Sequence, residues 1–188
     1  MPEKRQPLEA HGQSLAALAT AIEARGGPSP VNLWNPSHCG HSAMRIARDG
    51  TWFHEGRPID RPAMVRLFAS VLRREPDGSH VLVTPVEKLI IEVEATAFRA
   101  TQMTMDGEGE GRRIGLTLDS GDALIVDADH PLTVTETADG PSPRIAIRFG
   151  LEAELSRPLY YELAEIALAE GHEPPGIWSA GTFFKLVP

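Results

Sequence analysis

Glu87 and Lys88 interrupt an apolar run, HVLVTPVEKLIIEV from His80 to Val93, that otherwise reads as strand. If the run extended straight, Val81, Val83, Pro85, Glu87, Leu89, Ile91 and Val93 would share one face. Burying an unpaired carboxylate is costly, so Glu87 in that row needs a basic partner, a ligand, or an exit from the strand. Held in a cleft, it would act as a hydrogen-bond acceptor or as a general acid or base. The exit is the plainer alternative, because Pro85 cannot donate to a central ladder and a reset register would leave Glu87 and Lys88 exposed at a domain joint. Arg61 is also out of place. A cation in the first turn of a helix opposes the macrodipole by about 0.3–1 kcal/mol, so it calls for an acidic neighbour or an anion. With nearby free N–H groups it would receive a phosphate or carboxylate. The alternative is a salt bridge, with Glu87 as a candidate partner. Arg157 opens a later helix in the same way.

Other candidates carry less chemistry. His38-Cys39-Gly40-His41 places sulfur beside imidazole, but the remaining histidines are scattered, so no metal site is expected. Cys39 has no adjacent base to make it a nucleophile and reads as a buried structural thiol. The glycine-spaced DGEGEGRR, residues 106–113, lacks the lysine and hydroxyl of a phosphate loop and reads as a hairpin tip. Trp34, Trp52 and Trp178 could wall a stacking site, although core positions are their default. No cofactor is expected.

These residues sit in a chain of 188 with net charge -8, 41% hydrophobic content and one cysteine. The acidic balance opposes extended nucleic-acid partners, which need clustered Lys and Arg. No apolar run approaches the roughly 20 residues that cross a bilayer. The single cysteine excludes an internal disulfide, and no signal-peptide core is evident, so a cytoplasmic location is expected.

The elements that must position the candidates follow from periodicity. Ser14 precedes Leu15, Leu18, Ala19 and Ile22 at helical spacing, and residues 31–43 read as an irregular connection. A hairpin turns at Asp49-Gly50 between Met44, Ile46 and Thr51-Trp52-Phe53. Asp60 and Pro62 open a helix with Met64, Val65, Phe68, Val71 and Leu72 on one face, running to Glu75-Pro76. Strand patterns then dominate from Leu89, broken by turn residues, until Ser156 caps a helix carrying Leu159, Leu163, Ile166 and Ala167 and stopping at Gly171. A last strand covers Thr182–Leu186. The helix starts Ile59-Asp60-Arg61-Pro62 and Leu155-Ser156-Arg157-Pro158 echo each other, and at that offset Leu67 meets Leu163 and Leu72 meets Leu168. The predicted organisation is α+β: an N-terminal helix and lead-in over 1–30, a small α+β domain over 31–86, and an antiparallel sheet with one helix over 87–188.

The blocks WNPSHCG, IARDGTWFHEGRPIDRPAMVRLFASVLR, LVTPVEK, DADHPL, IRFGLEAELSRPLYYEL and IWSAGTFFKL resemble, in order, a bacterial family of unknown function, family 1285. One departure is His41, where the family pattern has an acidic residue. The resemblance implies a two-part duplicated core whose C-terminal part is a curled antiparallel sheet, superficially like a pleckstrin-homology fold. It also implies a nucleotide-like ligand between the parts and a signalling role. Carried onto this chain, the ligand-binding residues are expected to be Trp34, Trp52, Arg61, Thr84, Glu87, Lys88 and Ser179, with Thr84–Lys88 at the handover between parts. The leading expectation is a non-enzymatic sensor of a small phosphorylated or nucleotide-like molecule. A hydrolase or transferase using Glu87 as general acid or base, and a protein-interaction module, are the rivals.

Overall fold

The computed structural model describes residues 29–188. The helix predicted around Leu15–Ile22 and most of the 1–30 lead-in lie outside the described residues. After a 3-10 turn at Val31–Leu33, the first part runs β1 (Cys39–Ile46), β2 (Trp52–His54), β3 (Arg57–Pro58), α1 (Pro62–Ser70), β4 (Leu72–Arg74), β5 (His80–Val83) and β6 (Lys88–Val93). The second runs β7 (Phe98–Asp106), β8 (Arg113–Leu118), β9 (Ala123–Ile125), β10 (Leu132–Thr137), β11 (Gly140–Ala146), β12 (Glu152–Leu155), α2 (Arg157–Glu170), β13 (Gly176–Ser179) and β14 (Thr182–Lys185).

Two six-stranded sheets carry the same plan. Their orders are β3-β2-β1-β6-β5-β4 and β9-β8-β7-β12-β11-β10, each two antiparallel meanders joined at a parallel central pair. Strand by strand, β1–β6 repeat as β7–β12, which is the duplicated core. The echoing helix starts mark something else. α1 lies between β3 and β4, whereas α2 follows the whole second sheet. The second sheet is mixed through the parallel β7–β12 pair, so it is not the curled antiparallel sheet expected for the C-terminal part.

Several expected boundaries move. β1 begins at Cys39, inside the stretch read as irregular. α1 stops at Ser70 because Leu72–Arg74 pair with Leu82–His80 across the Asp77-Gly78 turn, so Val71 and Leu72 leave the helix for the sheet. β6 is bonded between β1 and β5, placing residues 88–93 in the first sheet and not in the second part. Thr84–Glu87 therefore reverse the chain within a hairpin. The Thr84 N–H donates to the Glu87 carbonyl (2.9 Å), and the Thr84 hydroxyl accepts the Glu87 N–H (3.2 Å), an ST-type closure that answers the Thr-Pro interruption.

The inward faces of both sheets share one core. Ile46, Leu72, Leu82 and Val83 join Phe68 of α1, Phe98, Leu116 and Ile145 of the second sheet, and Leu163 of α2 in a single apolar cluster. Polar ties reinforce it. The Arg74 N–H donates to the Phe149 carbonyl (3.1 Å), and the Arg148 guanidinium donates to the Ala69 carbonyl at the end of α1 (3.0 Å).

Candidate functional site

The seven expected ligand residues do not form one pocket. Thr84, Glu87 and Lys88 share the β5–β6 turn. Trp34 joins that end of the first sheet through Arg73, whose guanidinium donates to the Val31 (2.6 Å) and Trp34 (2.8 Å) carbonyls and pairs with Glu75. Lys88 pairs with the other oxygen of Glu75 (3.1 Å), not with an anion site. Glu87 is buried, at 8% exposure, with no hydrogen bond or ion pair to its carboxylate among the described residues. Arg61 lies at the far end of the sheet. Lys88 pairs with Cys39 at the start of β1, while Trp52, whose carbonyl holds Ile59 on the way to Arg61, pairs with Ile46 at its end. That offset is about 20 Å along the strands at ~3.3 Å per residue. Trp52 is a core residue, and Ser179 is fully buried, its hydroxyl accepting the Ile114 N–H (3.0 Å).

Among the described residues, Thr84, Glu87 and Lys88 line none of the three clefts considered next. Arg61 borders an open cup with Arg57, Asp60 and Met64. A second groove crosses the first sheet at His41, Phe53 and Ile90. The third, about 610 Å³, lies where the two parts meet.

Each wall of this third cleft comes from an element with its own reason to be there. The β1–β2 turn places Arg48. Gly50 makes that turn possible at φ +89, and Asp49 closes it by accepting the Thr51 N–H (2.9 Å). The linker contributes Glu94, whose carboxylate accepts the Arg48 N–H (2.9 Å) and pairs with Arg45; these contacts hold the carboxyl below its ordinary range. β7 contributes Arg99, which donates to the Arg48 carbonyl (3.0 Å) and so ties the two parts beneath the cleft. β11 and β12 form the floor. The buried Ser142 hydroxyl donates to Glu154 (3.1 Å) and accepts from Arg144 (3.1 Å), which also reaches Glu152 (3.4 Å).

α2 closes the site with its N-terminus. Ser156 occupies the cap position but makes no side-chain cap bond, and Pro158 follows in the first turn, so the leading N–H groups keep donor capacity. Arg157, Tyr160 and Tyr161 project from this turn into the cleft lining. The Tyr160 hydroxyl donates to the Leu186 carbonyl (2.8 Å), fixing one ring, while Tyr161 is exposed with its ring centroid 6.1 Å away. Burial raises the Tyr160 hydroxyl above its ordinary pKa, with Glu136 and Tyr161 adding to the shift, so it remains a donor at neutral pH.

Four arginines, Arg48, Arg99, Arg144 and Arg157, thus face three carboxylates, Glu94, Asp139 and Glu154, in a chain whose overall balance is acidic. The Arg48 and Arg157 guanidiniums make no hydrogen bond or ion pair among the described residues. Both cations line the cleft that the uncapped N-terminus of α2 borders, a charge pattern of the sign that suits a small anion. Arg157 was legible as a first-turn cation. Arg48, Arg144, Ser142 and Glu154 were not, since they lie in ordinary turn and alternating-strand patterns. Among the described residues no group of His, Cys, Asp and Glu could hold a metal ion.

Two family models cover the chain. Residues 29–96 match the N-terminal domain of the domain of unknown function DUF1285, and residues 97–186 match the C-terminal domain of the same family. A DUF1285 family protein from Silicibacter pomeroyi DSS-3 superposes with a TM-score of 0.81 at 40% identity, over 92% of this chain and 94% of that one. A DUF1285 family protein from Shewanella baltica OS155 shares the fold, with a TM-score of 0.53 at 23% identity, over 66% of this chain and 92% of that one. No curated protein matches the chain.

Proposed function

Because the chain belongs to the DUF1285 family, whose description names no activity, we propose from its geometry that it is a cytoplasmic sensor binding a small phosphorylated, nucleotide-like ligand in the cleft between its parts. The observation that carries this reading is a pair of guanidiniums that make no hydrogen bond or ion pair among the described residues, Arg48 from the first part, whose charge bears on Glu94, and Arg157 from the second, both lining the cleft that α2 borders. An anion held in the cleft gains from both charges, and the α2 N-terminus adds donors of the same sign. Tyr161 supplies an aromatic face for a base.

Signalling follows from differential affinity: a ligand that favours one arrangement of the cleft shifts its population by that difference. The shared core disfavours rocking of the halves, and the β10–β11 tip, Thr137–Gly140, lines the cleft beside α2. A pleckstrin-homology-like reading of the C-terminal part stays within this proposal as a sheet with one helix packed on it. Among the described residues no helix is long and apolar enough to cross a membrane.

Thermal-shift and calorimetric titration with inorganic phosphate and nucleoside monophosphates test the proposal. Ligand at about 100 times its dissociation constant adds some 2.7 kcal/mol of stability. Arg48→Ala and Arg157→Ala each weaken binding about tenfold or more, with little change in the stability of the free protein, since both side chains are exposed. A flat response across the panel overturns the reading.

A further inference from the structure

We infer that Asp106-Gly107, at the tip of the β7–β8 hairpin, is a site of spontaneous isoaspartate formation, singled out from four Asp-Gly dipeptides by the hydrogen bonds of the fold. The inference is independent of any ligand in the cleft.

Asp-Gly occurs at residues 49–50, 77–78, 106–107 and 139–140. In such a pair the glycine amide nitrogen attacks the aspartyl Cγ, gives up its proton, and expels a carboxyl oxygen as water, closing a five-membered succinimide. Water then opens the imide at either carbonyl. Opening on the former main-chain side leaves the chain running through Cγ, with the α-carboxylate free. Water is the only co-reactant. A glycine N–H held in a hydrogen bond, or a carboxyl held in place and ionised, blocks the first step.

Three of the four pairs are blocked. Gly50 donates its N–H to the Ala47 carbonyl (2.9 Å), while Asp49 accepts the Thr51 N–H (2.9 Å). Gly78 donates to the Glu75 carbonyl (2.9 Å), while Asp77 accepts the Ser79 hydroxyl (2.7 Å) and N–H (2.9 Å). The bonds from Thr51 and Ser79 hold both carboxyls below their ordinary range, in the ionised form that is the poorer electrophile. In the β10–β11 hairpin, Pro141 and Pro143 have no N–H, so the hydrogen-bonded pairs fall at Gly140, Ser142 and Arg144, and the Gly140 N–H belongs to the closing pair with Thr137.

Asp106 and Gly107 differ on both counts. Asp106 ends β7 opposite Arg113, both residues of the pair are exposed, and neither the Asp106 carboxyl nor the Gly107 N–H makes a hydrogen bond or ion pair among the described residues. The tip nevertheless requires this glycine. Gly107 sits at φ +74, and an added Cβ would lie 2.9 Å from the Gly111 carbonyl oxygen. The same tip is anchored at its other end, where the Arg112 carbonyl accepts the Ala180 N–H (2.8 Å) and the Arg112 guanidinium pairs with Glu170 at the end of α2. Isomerisation inserts a methylene into the main chain of this tip and adds a carboxylate to its surface.

The test is to age the full chain at physiological temperature and mildly acidic pH, folded and in guanidinium chloride, and to digest it with trypsin. Cleavage after arginine and lysine puts Asp106 in the peptide 100–112, Asp49 in 49–57, Asp77 in 75–88 and Asp139 in 114–144. Isoaspartate is read as an equal-mass chromatographic partner of each peptide and by labelling with an isoaspartyl methyltransferase. In the folded chain Asp106 converts about tenfold or more faster than the other three, because each of those must first open a hydrogen bond. In denaturant the four convert at similar rates. Asp106→Glu, which would need a six-membered imide, removes the signal from its peptide and leaves the thermal midpoint unchanged. Conversion of Asp49, Asp77 or Asp139 as fast as Asp106 in the folded chain overturns the inference. So does a folded chain that yields no isoaspartate at Asp106 while the denatured chain does.

Discussion

Glu75 is the residue on which the ordered polar chemistry of the first part turns. Its two oxygens are held by Arg73 (2.6 Å) and Lys88 (3.1 Å), and Arg73 in turn anchors the carbonyls of Val31 and Trp34. Burial pushes the Glu75 carboxyl up, but hydrogen bonds from Lys88 and Arg73, with their charges, outweigh it and hold it below its ordinary value of 4.5. A folded-state pKa below the unfolded one means that this contribution is complete above the unfolded value and fades as the pH falls through the folded value. Glu75→Gln leaves two partly buried cations without their counter-ion and costs about 2 kcal/mol near neutral pH, between the values for exposed and buried pairs. Its urea midpoint also becomes less sensitive to acid than that of the parent chain. An unchanged acid dependence would remove Glu75 from this role. The same network explains why Lys88, an attractive anion ligand by sequence, is already engaged.

At the scale of elements, hairpin closure and helix ends decide the architecture. The β13–β14 hairpin sits so close at Gly176 that an added Cβ would lie 2.6 Å from the Phe184 carbonyl oxygen and 2.5 Å from the Phe183 ring. The ring can swing, but the carbonyl belongs to the paired strand. Gly176→Ala is expected to cost roughly 1–3 kcal/mol, read as a lowered denaturation midpoint. Arg148 is the complementary case, a side chain joining elements of different parts. It donates to the Ala69 carbonyl at the C-terminal end of α1 (3.0 Å) and lies 5.6 Å from the Phe98 ring centroid. Arg148→Ala removes a cation from a helix C-terminus together with that contact, and should lower stability by about 1–2 kcal/mol in chemical denaturation. The hairpin at Asp49-Gly50 and the stop at Gly171 were legible because each needs a positive φ that glycine supplies, +89 and +70. The end of α1 was not. The apolar spacing of Val71 and Leu72 continues the helical pattern, and only their pairing partners in β5 remove them from it.

For the whole molecule, one apolar cluster spanning both sheets makes the two family domains a single cooperative unit. Calorimetric unfolding of the chain is expected to show one transition, and residues 29–96 expressed alone, parted from the second part's share of that cluster, should not fold. Two separable transitions would contradict the shared core. The cleft depends on this union, since Arg48 and Arg157 approach it from opposite sides of the boundary at Thr96–Ala97.

Turn chemistry and periodicity, which are local properties, determined most strand positions and the suspicion attached to a cation at the start of a helix, while the family and its two-part duplicated core followed from the resemblance of ordered sequence blocks. None of these determined which suspicious residues meet. HVLVTPVEKLIIEV is read correctly only once β5 and β6 are seen to fold back on each other, which turns the expected joint between parts into a hairpin of the first sheet. The residues that share the cleft with Arg157 come from β1–β2, β11 and β12, and strand pairing over such sequence distances is fixed by how two sheets bury one core rather than by any pattern within a strand.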